Sequence, residues 1–253
     1  MSELMYDKII VCSNCGQETP NYEDCVLCGH SLADPDTAPR EIAQDDMQEM
    51  MIDAKIQEIK AKRALLYDDS WDHAPWLERL QTLAQIAPDN PKVHYYIGAA
   101  HFENGDCRQA IVSFTRAIVH KADMVDAIRR RGDCQIALVP VLSGDVQAYY
   151  DRCLVDYEAA LFIEPDAYTY NMHAAVISSL GQMDEALEEY SQAIALNPDY
   201  AESYFNRGYI YKLMGETDKA IADFEAFVSF DRHWNEEMVS MAQGHIKEMT
   251  EPD

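Results

Sequence analysis

The sequence predicts an all-α solenoid of stacked antiparallel helix pairs (αα-hairpins), preceded by a small metal-binding domain. The first observation is an internal repeat, because residues 167–200 and 201–234 have equal length and align without a gap. Glycine, alanine and aromatic residues recur at matching positions, as Gly181 and Gly215 show. A period of 34 residues is typical of helix–turn–helix units that bury their apolar faces against their neighbours. The second observation is that residues 1–32 hold four of the seven cysteines.

The repeat pattern resembles the tetratricopeptide repeat (TPR), whose helix pairs stack into a right-handed superhelix. Ala186 matches Ala220 and Tyr190 matches Phe224 in the small and aromatic positions of that family. The resemblance implies a non-enzymatic adaptor or scaffold that binds a protein partner. A nucleophile elbow, H-E-x-x-H, P-loop or G-x-G-x-x-G motif does not occur in the sequence, so we expect no enzymatic activity.

The same register divides the rest of the chain. Residues 33–40 are a proline-containing linker, and residues 41–253 form the array. The array comprises a degenerate repeat at about 57–90, repeats at 91–124, 125–166, 167–200 and 201–234, and a capping helix at 235–250. Residues 125–166 exceed the period by eight, and Pro140 places the extra residues at the turn. We therefore expect each helix of this unit to gain about one turn.

Small residues mark the predicted contacts inside the units. Gly98, Gly132 and Gly208 share one position of the first helices, where we expect the two helices of a unit to approach closely. Aromatic residues such as Phe114 and Tyr157 are expected to fill the space between neighbouring units. Three further cysteines occupy apolar positions and are expected to be buried, inert thiols; they are Cys107, Cys134 and Cys153.

The four N-terminal cysteines form two C-x-x-C-G knuckles, with nine residues between Cys15 and Cys25. They are Cys12, Cys15, Cys25 and Cys28, and they resemble a short zinc ribbon at residues 1–32. Four thiolates complete a tetrahedral shell around one structural Zn²⁺ per chain and leave no open position for catalysis. Ile9, Ile10 and Val11 are expected to form a strand that leads into the first knuckle. A pair of disulfides is the alternative, but the first ten residues show no signal pattern, so we expect a reducing, cytoplasmic location.

The formal net charge of −25 disfavours nucleic acid as the main partner, because that affinity depends on Lys and Arg. The alternative function is a nucleic-acid-, ribosome- or transcription-associated factor acting through the zinc ribbon. However, Lys and Arg are absent between Lys8 and Arg40, and salt-dependent binding of RNA or DNA would be needed to favour it. No apolar run approaches the ~18 residues of a membrane span, so we expect no membrane association.

Residues 41–67 show a helical pattern in which Ile52 and Ile56 lie on one apolar stripe. We expect this helix to pack within the chain. The alternative is a homodimer through residues 41–56, which sustained heptads would favour, but too few occur here.

The resemblance implies that the first helix of each unit lines a concave groove that holds a peptide or protein partner. The candidate partner-binding residues are Tyr95, Tyr96, Phe102, Arg129, Arg130, Tyr168, Asn171, Met172, Phe205, Asn206 and Tyr209. Aromatic and Arg residues are typical interface anchors, so we expect apolar groups of the ligand on the tyrosines and a ligand carboxylate near Arg129 or Arg130. Some family members clamp chaperone C-terminal carboxylates with a set of Lys, Asn and Arg residues spread over three units. Asn206 matches part of that set, but Tyr95 and Ala99 occupy the positions of its Lys and Asn, so chaperone docking is not expected.

Overall fold

The computed structural model describes most of the repeat region and two short N-terminal strands. The described residues are 9–11, 18–20, 44–65, 74–139, 146–230 and 236–251. The chain divides into two compact units, Met1–Pro88 and Asp89–Asp253.

The first unit begins with a small β-hairpin. Strands β1 (Ile9–Val11) and β2 (Glu18–Pro20) pair antiparallel, with Ile9 opposite Pro20 and Val11 opposite Glu18. The predicted strand at residues 9–11 is therefore confirmed. In the sequence, Cys12 and Cys15 lie between β1 and β2, but all four N-terminal cysteines are outside the described residues.

Two helices follow in the same unit. Helix α1 (Gln44–Leu65) packs against α2 (Ala74–Ile86). Ile52, Ile56 and Leu80 are buried, as packing within the chain predicts. The homodimer through residues 41–56 remains a prediction.

The second unit consists, over its described residues, of helices joined in sequence by short connections. They are α3 (Pro91–Glu103), α4 (Cys107–His120), α5 (Val125–Leu138), α6 (Gln147–Ile163), α7 (Ala167–Ser179), α8 (Met183–Leu196), α9 (Ala201–Leu213), α10 (Thr217–Ser229) and α11 (Glu236–Thr250). Helices α3–α4, α5–α6, α7–α8 and α9–α10 form pairs, and the second helix of each pair packs on the next first helix. Helix α11 packs against α10 in the same way. None of the described helices combines the length and the apolarity needed to cross a bilayer.

Glycines make the sharp turns inside three of the pairs. Gly105, Gly181 and Gly215 have φ values of 76°, 84° and 79°, a left-handed conformation that side chains with a Cβ rarely adopt. Asp106 and Asp166 begin α4 and α7 by accepting backbone N–H bonds from residues three positions ahead. Repeated turn and cap chemistry thus sets where the helices reverse.

The glycines inside the helices have a different role, which is close packing. A Cβ placed on Gly98 would lie 2.7 Å from ring atoms of Phe114, and one on Gly132 would lie 3.0 Å from Tyr157. Each ring therefore lies against the glycine of its own unit, although the sequence predicted that these rings fill the space between units. Both rings also fill the space between units, because the buried cluster of Phe114 includes Ala127 and that of Tyr157 includes Val176, each from the following unit.

The eight-residue insertion lengthens one helix more than the other. Helix α6 has 17 residues, three more than α4 or α8, which is close to the expected extra turn. Helix α5 has 14 residues, only one more than α3, α7 or α9. The expectation of a full extra turn in α5 is therefore wrong. Pro140 follows two residues after the end of α5 and lacks the backbone N–H that a further turn requires.

Candidate functional site

The first helices of successive units contact one another within Asp89–Asp253. Helix α3 packs against α5 and α7 packs against α9. We call the side formed by these four helices the inner face. All the predicted partner-binding residues are in these helices.

The centre of the inner face holds a group that we call the Arg130 cluster: Tyr95, Phe102, Arg130, Asp133 and Tyr168. The guanidinium carbon of Arg130 lies 5.6 Å from the ring centroid of Phe102, a cation–π distance. Its Nη1 lies 3.6 Å from Oδ2 of Asp133, and its side chain is 48% exposed. The cluster therefore joins α3, α5 and α7 and presents one half-exposed cation.

Asp133 is the buried member of this cluster. Its carboxylate is buried and accepts a 2.7 Å hydrogen bond from the hydroxyl of Tyr157. Burial raises the pKa of Asp133, and hydrogen bonding from Tyr168 and Tyr157 opposes that rise. Burial likewise raises the pKa of Tyr95, whose ring meets Tyr96 edge-on at 5.2 Å between centroids. Burial also raises the pKa of the Tyr157 and Tyr168 hydroxyls, so both remain neutral donors to this buried acid.

The guanidinium of Arg129 is already paired with oxygen atoms of the protein itself. It donates a 2.9 Å hydrogen bond to the carbonyl of Glu164, pairs with Asp166 and lies 3.6 Å from Asp126. Its side chain is only 14% exposed. These contacts tie α5 to the connection that precedes α7, and they leave Arg130 as the more accessible of the two arginines predicted to meet a carboxylate.

Arg131 and Arg207 form bridges that recur between units. Arg131 makes a two-bond pair with Asp156 of its own unit, at 2.6 and 2.9 Å, and donates to Thr115 of the preceding unit at 3.2 Å. Arg207 repeats this arrangement with Asp223, at 2.7 and 2.8 Å, and with Ser191, at 3.0 Å. Each bridge therefore fastens three helices.

His173 occupies the same repeat position in the unit between them. Its Nδ1 lies 2.5 Å from Oε2 of Glu189, and its Nε2 lies 4.0 Å from Oε1 of Glu158. Among the described residues, the buried Nε2 has no hydrogen-bond partner. Sequence reasoning missed these bridges. The signal was available in the 16-residue spacing from His173 to Glu189, which recurs from Arg207 to Asp223.

A second polar contact joins α7 to α9. Asn171 is buried, and its Oδ1 accepts hydrogen bonds from Ser203 at 3.1 Å and from Asn206 at 3.0 Å. Met172 packs against the buried cluster that contains Tyr157. Asn171 and Asn206 thus hold the first helices α7 and α9 together, and Met172 packs α7 against α6.

The last units bring the remaining predicted residues close to α11. Phe205 packs edge-on against two phenylalanines of α10. Tyr209 is 42% exposed, with its ring centroid 5.9 Å from that of His245. Lys212 lies 2.6 Å from Glu248 and 2.7 Å from Nδ1 of His245, and it lowers the pKa of Glu248. Helix α11 therefore covers part of α9.

The structure brings five of the eleven predicted residues into or beside the Arg130 cluster: Tyr95, Tyr96, Phe102, Arg130 and Tyr168. The other six lie outside it, in the contacts between helices described above. Across the described residues, no group of three or more His, Cys, Asp or Glu side chains is arranged to hold a metal ion. The four predicted zinc ligands lie outside that part of the chain.

Comparison with known proteins supports the repeat prediction. The "TPR repeat" family model matches residues 178–215, and the "Tetratricopeptide repeat" model matches residues 201–233. The solved structure of TTC0263, a thermophilic TPR protein of Thermus thermophilus, is similar over 79% of this chain and 98% of its own, with a TM-score of 0.58 and 16% identity. YrrB, described as a TPR protein with an unusual peptide-binding site, is similar over 69% of this chain and 93% of its own, with a TM-score of 0.51 and 16% identity.

The matches to sequence relatives span a smaller fraction of each relative's length. The Hsp70-Hsp90 organizing protein of Triticum aestivum is 30% identical over 94 residues, which are 37% of this chain and 16% of that protein. The DnaJ homolog subfamily C member 7 homolog of Dictyostelium discoideum is 22% identical over 218 residues, or 79% of this chain and 38% of that protein. The chain thus spans well under half of these two relatives. The prediction of tetratricopeptide repeats is confirmed.

Proposed function

We propose that this array of tetratricopeptide repeats is a non-enzymatic adaptor that holds a peptide or protein partner on its inner face. The ligand is an extended or helical segment whose apolar groups contact Tyr95, Phe102 and Tyr168. A carboxylate of the ligand pairs with Arg130. The description of YrrB as having a peptide-binding site is consistent with this class of function.

The observation that carries the proposal is the environment of Arg130. Its side chain is 48% exposed, while Asp133 on one side and Phe102 on the other limit its orientations. An arginine restrained beside aromatic rings can anchor a partner while losing little additional conformational freedom. The pair with Asp133 is long, at 3.6 Å, so a ligand carboxylate can take a shorter bond to the same guanidinium.

Of the three adjacent arginines, only Arg130 is expected to pair with a ligand carboxylate, because the other two already have partners. Asp126 and Asp166 already pair with the guanidinium of Arg129. Arg131 is likewise committed to Asp156. Arg130 is therefore the member of the arginine triplet to test.

A random peptide library displayed on phage tests the inner face directly. We expect the full chain to enrich peptides that share aromatic or aliphatic groups and an acidic or C-terminal carboxylate. The enriched peptides are then synthesised and titrated by calorimetry against wild type, Arg130→Gln and Phe102→Ala. Arg130→Gln should weaken binding about tenfold or more, because a charged hydrogen bond contributes about 1.5–3 kcal/mol.

A matched control uses exposed apolar residues of the second helices. Val119 and Phe162, on second helices, are 75% and 91% exposed, so their replacement by alanine removes apolar surface away from the inner face. Peptides that lose affinity with the Arg130 and Phe102 variants but keep it with Val119→Ala and Phe162→Ala support the proposal. Equal affinity for wild type and Arg130→Gln would overturn it.

We also propose that Cys12, Cys15, Cys25 and Cys28 bind one structural zinc ion. Four thiols at this spacing suit Zn²⁺, and the antiparallel β1–β2 hairpin brackets the first two of them in the sequence. Protein purified without chelator should contain about one zinc per chain by mass spectrometry of the metal. Cys15→Ser and Cys28→Ser should each lose most of it. Wild-type protein with far less than one zinc contradicts the proposal.

A further inference from the structure

Two of the repeat cysteines meet across the boundary between two units. Cys107 is the first residue of α4, and Cys134 lies four residues before the end of α5. Because α4 and α5 pack as consecutive, oppositely directed helices, the beginning of α4 lies beside the end of α5. Both cysteines belong to one packed cluster, in which Cys134 is buried and Cys107 packs against the buried residues.

The two thiols differ in access. Cys107 is partly exposed, so the prediction that it is buried is wrong, whereas Cys134 is fully buried as predicted. Burial raises the pKa of the Cys134 thiol, and the adjoining Cys107 raises it further. A dissolved oxidant therefore reaches Cys107 first, and Cys134 is placed to react only with whatever forms on its neighbour.

We propose that Cys107 and Cys134 are a reversible oxidation site that forms a disulfide between repeat 91–124 and repeat 125–166. The oxidant is a hydroperoxide, with hydrogen peroxide as the simplest case. The sulfur of Cys107 attacks the O–O bond and becomes a sulfenic acid, and the departing hydroxide leaves as water with the thiol proton. Cys134 then attacks that sulfur, and the sulfenic hydroxyl leaves as a second water with the Cys134 proton. Two thiols are oxidised, and one peroxide is reduced to two waters.

Such a bond would act on the site described above. Cys134 directly follows Asp133 and is one helical turn beyond Arg130. Tyr95 and Phe102 pack against the same cluster as the two cysteines. The disulfide would tie α4 to α5 immediately behind the Arg130 cluster, and it does not depend on whether that cluster binds a peptide.

The sequence makes the site easy to map. Cleavage after Lys and Arg places Cys107 in peptide 93–108 and Cys134 in peptide 132–152. All four N-terminal cysteines fall in peptide 9–40. After brief treatment of the folded full chain with hydrogen peroxide and alkylation of free thiols, mass spectrometry should find 93–108 joined to 132–152 with a loss of two hydrogens. Dithiothreitol should reverse the link.

Cys153 is the matched control, because it is fully buried like Cys134 but its thiol hydrogen-bonds the carbonyl of Gly132 rather than another thiol. We expect Cys153→Ser to retain the link. Cys107→Ser should lose it and keep Cys134 reduced, whereas Cys134→Ser should leave a sulfenic acid at Cys107 that dimedone traps. Recovery of Cys107 as an over-oxidised acid beside a free Cys134 in wild type would overturn the proposal. So would oxidation of Cys153 at the rate of Cys107.

Discussion

Replacing Gly98 by alanine tests the closest contact inside a repeat. The added Cβ would lie 2.7 Å from Cδ1 and Cε1 of Phe114, well inside the ordinary carbon–carbon separation of about 3.5–4.0 Å. Phe114 is completely buried and surrounded by alanines and Cys134, so the ring has no free space to enter. Overpacking of this kind costs about 1–3 kcal/mol.

The same substitution also stabilises the helix, and this gain must be separated from the destabilisation by overpacking. Alanine is a better helix former than glycine by about 1 kcal/mol, so Gly98→Ala also gains stability. Gly244 lies inside α11, and a Cβ there would meet nothing within 4 Å. Gly244→Ala therefore reports the propensity gain alone, and the difference between the two variants isolates the clash.

Urea unfolding followed by far-ultraviolet circular dichroism provides the measurement. We expect Gly98→Ala to be less stable than Gly244→Ala by about 1–3 kcal/mol. Phe114→Leu should be less destabilising in the Gly98→Ala background than alone, because the smaller side chain relieves the contact. Equal stability of the two alanine variants, or strict additivity with Phe114→Leu, would refute this account of the packing.

Three further predictions concern ionic contacts. Asp156→Asn should reduce the free energy of unfolding by about 3 kcal/mol, since it leaves a mostly buried Arg131 without its counter-charge. His173→Arg should be at least as stable as wild type in urea, because the arginine can reach the glutamates on both sides, whereas His173→Ala should lose about 1 kcal/mol or more. Lys212→Met should raise the pKa of Glu248 in an NMR titration, because Lys212 lowers it. The stabilisation of the folded state by this ion pair is present above the pKa of an unfolded Glu, and it is lost as the pH falls through the lower pKa of the folded state.

Each of these has a result that would contradict it. Lys55–Glu58 is an exposed pair, so Glu58→Gln should change stability by no more than about 0.5 kcal/mol. A loss for Asp156→Asn no greater than that would remove the bridge as a stabilising element. If His173→Arg were less stable than His173→Ala, the predicted reach of the arginine to both glutamates would be wrong. If Lys212→Met left the titration of Glu248 unchanged, Lys212 would not be the group that lowers its pKa.

The sequence predicted the repeat boundaries from small residues and turn glycines because those positions obey local rules. Gly105 and Gly181 mark turns by their backbone conformation, and Gly98 marks a close helix contact by its lack of a Cβ. Such requirements depend on residues a few positions away or on the facing helix of the same pair. They repeat at a fixed period and are therefore visible in one sequence.

The state of the arginine triplet was not predictable in the same way. Arg129, Arg130 and Arg131 are adjacent in the sequence, yet helix geometry points them toward different neighbours. Arg129 meets the end of α6 and the start of α7, and Arg131 meets α4 and α6. Which cation stays accessible depends on side chains outside its own helix, as with Asp166.

Tyr157 gives the Arg130 cluster a rigidity that its surface position alone would not provide. The ring of this side chain packs against Gly132 inside the repeat. The hydroxyl on the same ring donates the hydrogen bond that holds Asp133 beside Arg130. The side chain of Arg130 is therefore restrained before a ligand binds, and most of the conformational entropy lost on association is that of the ligand.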